Sequence, residues 1–130
     1  MNVTIIAAVI YALATLVVVG FQLALALGAP WGAYAMGGAF PGRFPLTMRL
    51  AALAQTILLG LLAAVVLSRA GLVLPQWSQA SGWLTWVVVT YTTIAVVLNA
   101  ITPSVRERRL WLPVTLMLVA SSLMVALAGR

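Results

Sequence analysis

Four stretches of this chain are long and apolar enough to cross a bilayer, and this limits what it can fold into. A helix rises about 1.5 Å per residue, so about 20 apolar residues cover the hydrocarbon. The stretches run over about 3–27, 50–74, 83–101 and 110–128. Hydrophobic residues make up 65% of the 130 and charged residues 6%, against about half and a quarter in soluble domains. A water-soluble domain of this length has too little interior to hide so much apolar surface. In lipid, backbone groups must bond within the protein, and a helix satisfies them within its own segment. The expectation is an all-α fold. One integral membrane four-helix bundle occupies residues 1–130, with a long Gly/Pro-rich connection between helices 1 and 2. The first stretch ends in Ala24-Leu25-Ala26, which looks like a cleavage site. It lacks a basic leader, and its apolar run exceeds the usual ~7–15 residues of a signal peptide, so it reads as a retained helix.

Prolines and tryptophans mark the boundaries. Pro75 and Pro103 fall just beyond helix ends, and Pro113 is expected in the first turn of the last helix, where its missing N–H costs little. Trp31, Trp77, Trp83, Trp86 and Trp111 flank the stretches, where an indole suits the headgroup layer.

The side-chain inventory excludes much chemistry. There is no cysteine and no histidine, and Glu107 is the single acid. Thiolate and imidazole metal sites, His- or Cys-ligated haem, a Ser-His-Asp triad and a carboxylate pair are all ruled out. No catalytic residue, metal or cofactor is expected, and an enzyme would have to rely on Tyr, Arg and Ser alone.

The net charge is +6, and every basic residue is arginine: Arg43, Arg49, Arg69, Arg106, Arg108, Arg109 and Arg130. They gather at the ends of the apolar stretches, which points to membrane lipids, anionic headgroups included, and not to nucleic acid. Five of them fall on the first and third connections, so the positive-inside rule puts those connections in the cytoplasm and both termini outside. Arg106, Arg108 and Arg109 are expected to contact lipid phosphates and set the topology, with Glu107 partly offsetting them. Arginine without lysine, beside abundant Ala, Leu and Val, fits a GC-rich bacterial genome and hence a bacterial inner membrane.

Polar residues within the stretches are periodic. Thr4, Tyr11, Thr15 and Gln22 share one face of the first helix, and Gln55 and Arg69 one face of the second. Thr85, Thr92 and Asn99 repeat every seventh residue in the third, as Thr115 and Ser122 do in the fourth. Such a seam either bonds across a tight bundle or lines a path through it. Gly20, Ala24 and Gly28, Gly60 and Ala64, and Ser122 and Ala126 give small-residue faces that suit close helix packing or another subunit. At the cytoplasmic end Gln22, Gln55 and Asn99 are expected at one depth, beneath Arg49 and the long connection, as one hydrogen-bonded cluster that is either a ligand site or a structural cap. Arg69 is expected to snorkel or to turn toward the bundle, a lipid or a partner.

The segment FQLALALGAPWGAYAMGG, continued by PGRFP and Arg49, and the segment NAITPSVRERRLWLP from Asn99 to Pro113 resemble a widespread, uncharacterised family of small four-span bacterial integral membrane proteins. With the four-span layout, the likeness covers most of the chain. It implies the fold and a bacterial origin, and it carries no activity over. Small multidrug transporters share the length and span number but depend on a glutamate in the first helix, where this chain has Tyr11, Thr15 and Gln22. They are a poor match.

Two functional expectations follow. The first is an accessory or interaction subunit of a larger membrane complex, with other membrane subunits or further copies of itself as partners. The alternative is a passive transporter, a channel or a lipid- or small-molecule-binding protein that uses the polar seam. Proton coupling lacks the intramembrane acid or histidine it needs.

Overall fold

The computed structural model describes residues 2–128. It contains four long helices: α1 (Val3–Ala26), α2 (Leu46–Arg69), α3 (Ala80–Ile101) and α4 (Val105–Ala128). Each is long and apolar enough to cross a membrane, which supports a multi-pass membrane protein. Arg130 lies outside the described residues.

Local chemistry explains where the helices start and stop. The Asn2 side chain caps α1 by accepting the Ile5 N–H at 2.9 Å. Pro45, with extended ψ, leads directly into α2, so this helix starts one turn earlier than expected and takes in Arg49. It also stops earlier, at Arg69. Leu72, Val73 and Leu74 are apolar, but Gly71 adopts φ 80 and reverses the chain, as glycine does after a helix. The largest difference is in α4. The Ser104 hydroxyl accepts the Glu107 N–H at 3.2 Å and starts the helix at Val105. Arg106, Arg108 and Arg109 therefore ride on the first turns of α4 and not on a connection. Pro113 lies well inside α4 and not in its first turn. Its missing N–H leaves the Arg109 carbonyl without a helical partner.

The helices form a ring in the order α1, α2, α3, α4, with α4 closing against α1 and the α2–α3 pair packed most loosely. Ala7, Ala8, Tyr11 and Ala14 of α1 meet Val65 and Val66 of α2, Val88 of α3, and Leu118 and Val125 of α4 in one core. Small alanines on α1 let the backbones approach, as membrane bundles require. Outward-facing residues such as Leu16, Ile57, Leu98 and Leu127 are more than half exposed, the apolar surface that suits lipid.

The polar seam does face inward. Tyr11, Thr15, Thr85, Thr92, Thr115 and Ser122 are buried. Most of its hydroxyls bond to their own helix, however. Thr92 bonds to the Val88 carbonyl at 3.0 Å and Thr115 to the Trp111 carbonyl at 2.9 Å, the back-bonding that β-hydroxyl side chains adopt in helices. Thr92 also meets Ser122 across α3 and α4 at 3.4 Å. The small-residue faces are not used uniformly. Gly20 and Gly60 are exposed and have open space where a Cβ would sit.

The long connection folds into two short 3-10 turns, Gly32–Tyr34 and Met36–Gly38. It crosses itself at Gly32. The Gly32 N–H donates to the Gly42 carbonyl at 2.8 Å, and a Cβ there would lie 1.8 Å from the Phe40 carbonyl oxygen. Only glycine fits such an approach. Phe44 and Leu25 are buried beneath it beside Ala52, so the connection is a packed cap over the bundle end.

Candidate functional site

Beneath this cap lies a cavity of about 360 Å³, walled by all four helices and the connection. Phe21, Met48, Leu59 and Leu118 give it an apolar surface, and Gln22, Gln55, Tyr91, Asn99 and Glu107 add polar groups. A second hollow of about 510 Å³ shares Met36, Gln55, Tyr91, Ala95, Asn99 and Glu107 with the first and reaches Ile94 and Leu98. Those two are exposed on the outer face of α3, so the space opens sideways toward the lipid face where α2 and α3 pack loosely.

The sequence brought Gln22, Gln55 and Asn99 together, and all three do line the cavity. They do not form one hydrogen-bonded cluster. Gln55 donates its amide to the Tyr91 hydroxyl, from α2 to α3. Asn99 donates to the Ala95 carbonyl of its own helix at 2.7 Å. The earlier start of α2 is the physical reason. Counted from Leu46, Gln55 is ~14 Å along its helix, level with Tyr91 at ~15 Å from the end of α3. Gln22 and Asn99 lie ~6 Å and ~3 Å from their helix ends. The polar groups thus occupy two tiers, a deep Gln55–Tyr91 pair and a shallow ring of Gln22, Asn99 and Glu107.

Arg49 does not line the cavity. Its Nε–H donates to the Ala26 carbonyl at 2.9 Å and caps the end of α1. Arg108 Nη1 donates to the Thr102 carbonyl at 3.0 Å and does the same for α3. Arg43 lies over Gly28, 2.8 Å from where a Cβ would be. Helices α1 and α3 both end here with carbonyls pointing outward, and a guanidinium suits that negative dipole end. Three arginines expected to serve lipid or a polar cluster are thus turned onto helix ends, while Arg106 and Arg109 remain exposed. At the opposite end Arg69 is half-buried and rests against Gly82 of α3, 3.4 Å from where a Cβ would sit.

Sequence reasoning missed three site residues. Trp111 is expected in the headgroup layer, but it is 7% exposed, meets Phe21 edge-on at 4.7 Å, and donates its indole N–H to the Tyr34 carbonyl at 3.0 Å. Tyr91 falls outside the seven-residue repeat of α3 and went unnoticed. From the sequence alone Glu107 is a surface counter-charge to its arginine neighbours. Its Oε1 instead accepts the Gly37 N–H at 3.1 Å and the Thr102 hydroxyl, and the residue lines both hollows. Met36, Gly37 and Gly38 all have positive φ, the turn that aims the Gly37 N–H at this carboxylate. A signal for Glu107 was present: Ser104 followed three residues later by Glu is a capping-box spacing. In the usual box the glutamate turns back to the cap N–H, whereas here it reaches the connection.

No family model, curated protein or solved structure matches the chain. The cavity therefore has to be read from its own geometry.

Proposed function

We propose that this is a non-enzymatic membrane protein that binds an amphiphilic ligand, a lipid or a lipophilic small molecule, in the cavity beneath its connection. The observation that carries the reading is the lateral opening between α2 and α3 into a space with apolar walls and a few converging polar groups, the usual form of a small-molecule site. The Gln55–Tyr91 pair sits where an entering apolar chain would pass, and the shallow ring of Gln22, Asn99 and Glu107 would face its polar head. In this reading the protein lies in a bacterial inner membrane, with the capped end in the cytoplasm and both termini outside, as the arginine distribution supports.

A membrane lipid with a photoreactive diazirine on its acyl chain tests the proposal. Cross-links should concentrate on Met48, Tyr91 and Trp111 and disappear in Ala95→Phe, which fills the space from α3. Labelling spread evenly over outward residues such as Leu16 and Ile57, and unchanged in Ala95→Phe, contradicts it.

A second reading, an interaction subunit, is supported by Gly20 and Gly60, two exposed notches in apolar helices where a partner helix would approach closely. It is compatible with ligand binding, because the notches are on α1 and α2 and the opening lies between α2 and α3.

A further inference from the structure

We infer that the ligand of this cavity carries an ammonium group, bound at Glu107, on an apolar body. The inference rests on the binding reading above and adds the chemical class.

Glu107 is the only acidic residue in the chain, and it lines both connected hollows. Among the described residues no arginine lines either one. Of the arginines at this end, Arg108 bonds to the Thr102 carbonyl and Arg49 to the Ala26 carbonyl, while Arg106 and Arg109 are exposed. Both hydrogen bonds to the carboxylate fall on Oε1, from the Gly37 N–H and the Thr102 hydroxyl. They fix the group's orientation and leave Oε2 for an occupant. A carboxylate inside an apolar wall favours a cationic occupant, because desolvation strengthens the attraction and an anion would be repelled.

The walls fit the same class. Phe21, Tyr91 and Trp111 line the cavity, and aromatic faces attract quaternary and primary ammonium groups. Gln22, Gln55 and Asn99 provide amide oxygens that accept from an N–H without adding charge. An aminophospholipid headgroup and a free lipophilic amine both present this chemistry.

The test uses the full chain in dodecyl maltoside, which has no ammonium group. Benzyltrimethylammonium is compared with its uncharged isostere neopentylbenzene by ligand-observed NMR against protein-free micelles. Wild type is expected to bind the cation at least about tenfold more tightly. Glu107→Gln keeps an acceptor for Gly37 and Thr102 and should bring the two affinities within about threefold. Equal affinities in wild type overturn the ammonium assignment and leave the binding reading intact. A cation preference that survives in folded Glu107→Gln overturns the role of Glu107. Binding of neither probe overturns the underlying reading as well. If Glu107→Gln does not fold, the wild-type ratio decides alone. Mass spectrometry of lipids retained by the purified protein separates the sources. One aminophospholipid per chain assigns the ammonium to a headgroup, and cation binding without a retained lipid assigns it to a free amine. An anionic lipid retained one per chain and lost in Ala95→Phe overturns the inference.

Discussion

Glu107, at the start of α4, accepts the backbone N–H of Gly37, 70 residues earlier in the chain, at 3.1 Å. One carboxylate thus holds the Met36–Gly38 turn against the α3–α4 junction, where Ser104 also donates to the Ala33 carbonyl at 2.9 Å and Trp111 to the Tyr34 carbonyl. The cap is tied down by side chains from α4 and its approach, and the cavity exists because the cap is held there.

Removing the Glu107 acceptor should loosen the cap. Glu107→Ala removes the acceptor of the Gly37 N–H and of the Thr102 O–H, at a cost of about 1–3 kcal/mol. Thermal unfolding in detergent should show Glu107→Ala melting clearly below Glu107→Gln. Equal melting of the two variants would show that the carboxylate does not anchor the cap.

Glycines in the same chain should respond oppositely to one methyl group. Gly32→Ala forces a Cβ to 1.8 Å from the Phe40 carbonyl oxygen and should prevent the connection from closing, seen as loss of folded yield. Gly20 and Gly60 are helical, with open space outward, and alanine there should be neutral or stabilising by up to about 1 kcal/mol in detergent melts. If the notches receive a partner helix, Gly20→Leu should release that partner while the monomer's melting temperature holds.

The fold was legible because the bilayer imposes so strong a constraint. Length and hydrophobicity revealed all four helices, and the position of the polar residues revealed which faces turn inward, from Tyr11 and Thr15 to Thr85, Thr92 and Ser122. Helix ends were less legible, since they depend on single caps and not on hydropathy. Gly71 stops α2 among apolar residues, and Ser104 starts α4 among charged ones. The site was half legible for the same reason. Helical periodicity turns Gln22, Gln55 and Asn99 toward the cavity, but their common depth fails because α2 begins at Leu46 and carries Gln55 a tier deeper. Glu107 and Trp111 face inward because α4 begins at Val105, ahead of its apolar stretch, and the tertiary contact between Gly37 and Glu107 has no local signature.

The Gln55–Tyr91 pair is the polar contact across the loosely packed α2–α3 gap. Tyr91→Phe and Gln55→Leu should each cost on the order of 1 kcal/mol, with a coupling near ~0.6 kcal/mol in a double-mutant cycle, typical of hydrogen bonds between membrane helices. Zero coupling in detergent melts would show that the pair does not hold the gap.

Arg69 rests on the start of α3 at Gly82. Arg69→Leu should therefore lower the melting temperature, and Gly82→Val, which adds bulk at that contact, should do the same. A Leu variant as stable as wild type would mean that Arg69 simply snorkels to the headgroups.

Orientation is tested by reporter fusion at the C-terminus, which should be active only outside the cytoplasm. Cytoplasmic activity would invert the assignment of the capped end.

Native mass spectrometry from a mild non-ionic detergent tests the central claim, that the cavity holds a ligand, most directly. Wild type should carry one bound amphiphile per chain, and Ala95→Phe, folded and of unchanged melting temperature, should appear as the bare chain. Identical spectra for the two proteins would contradict the account.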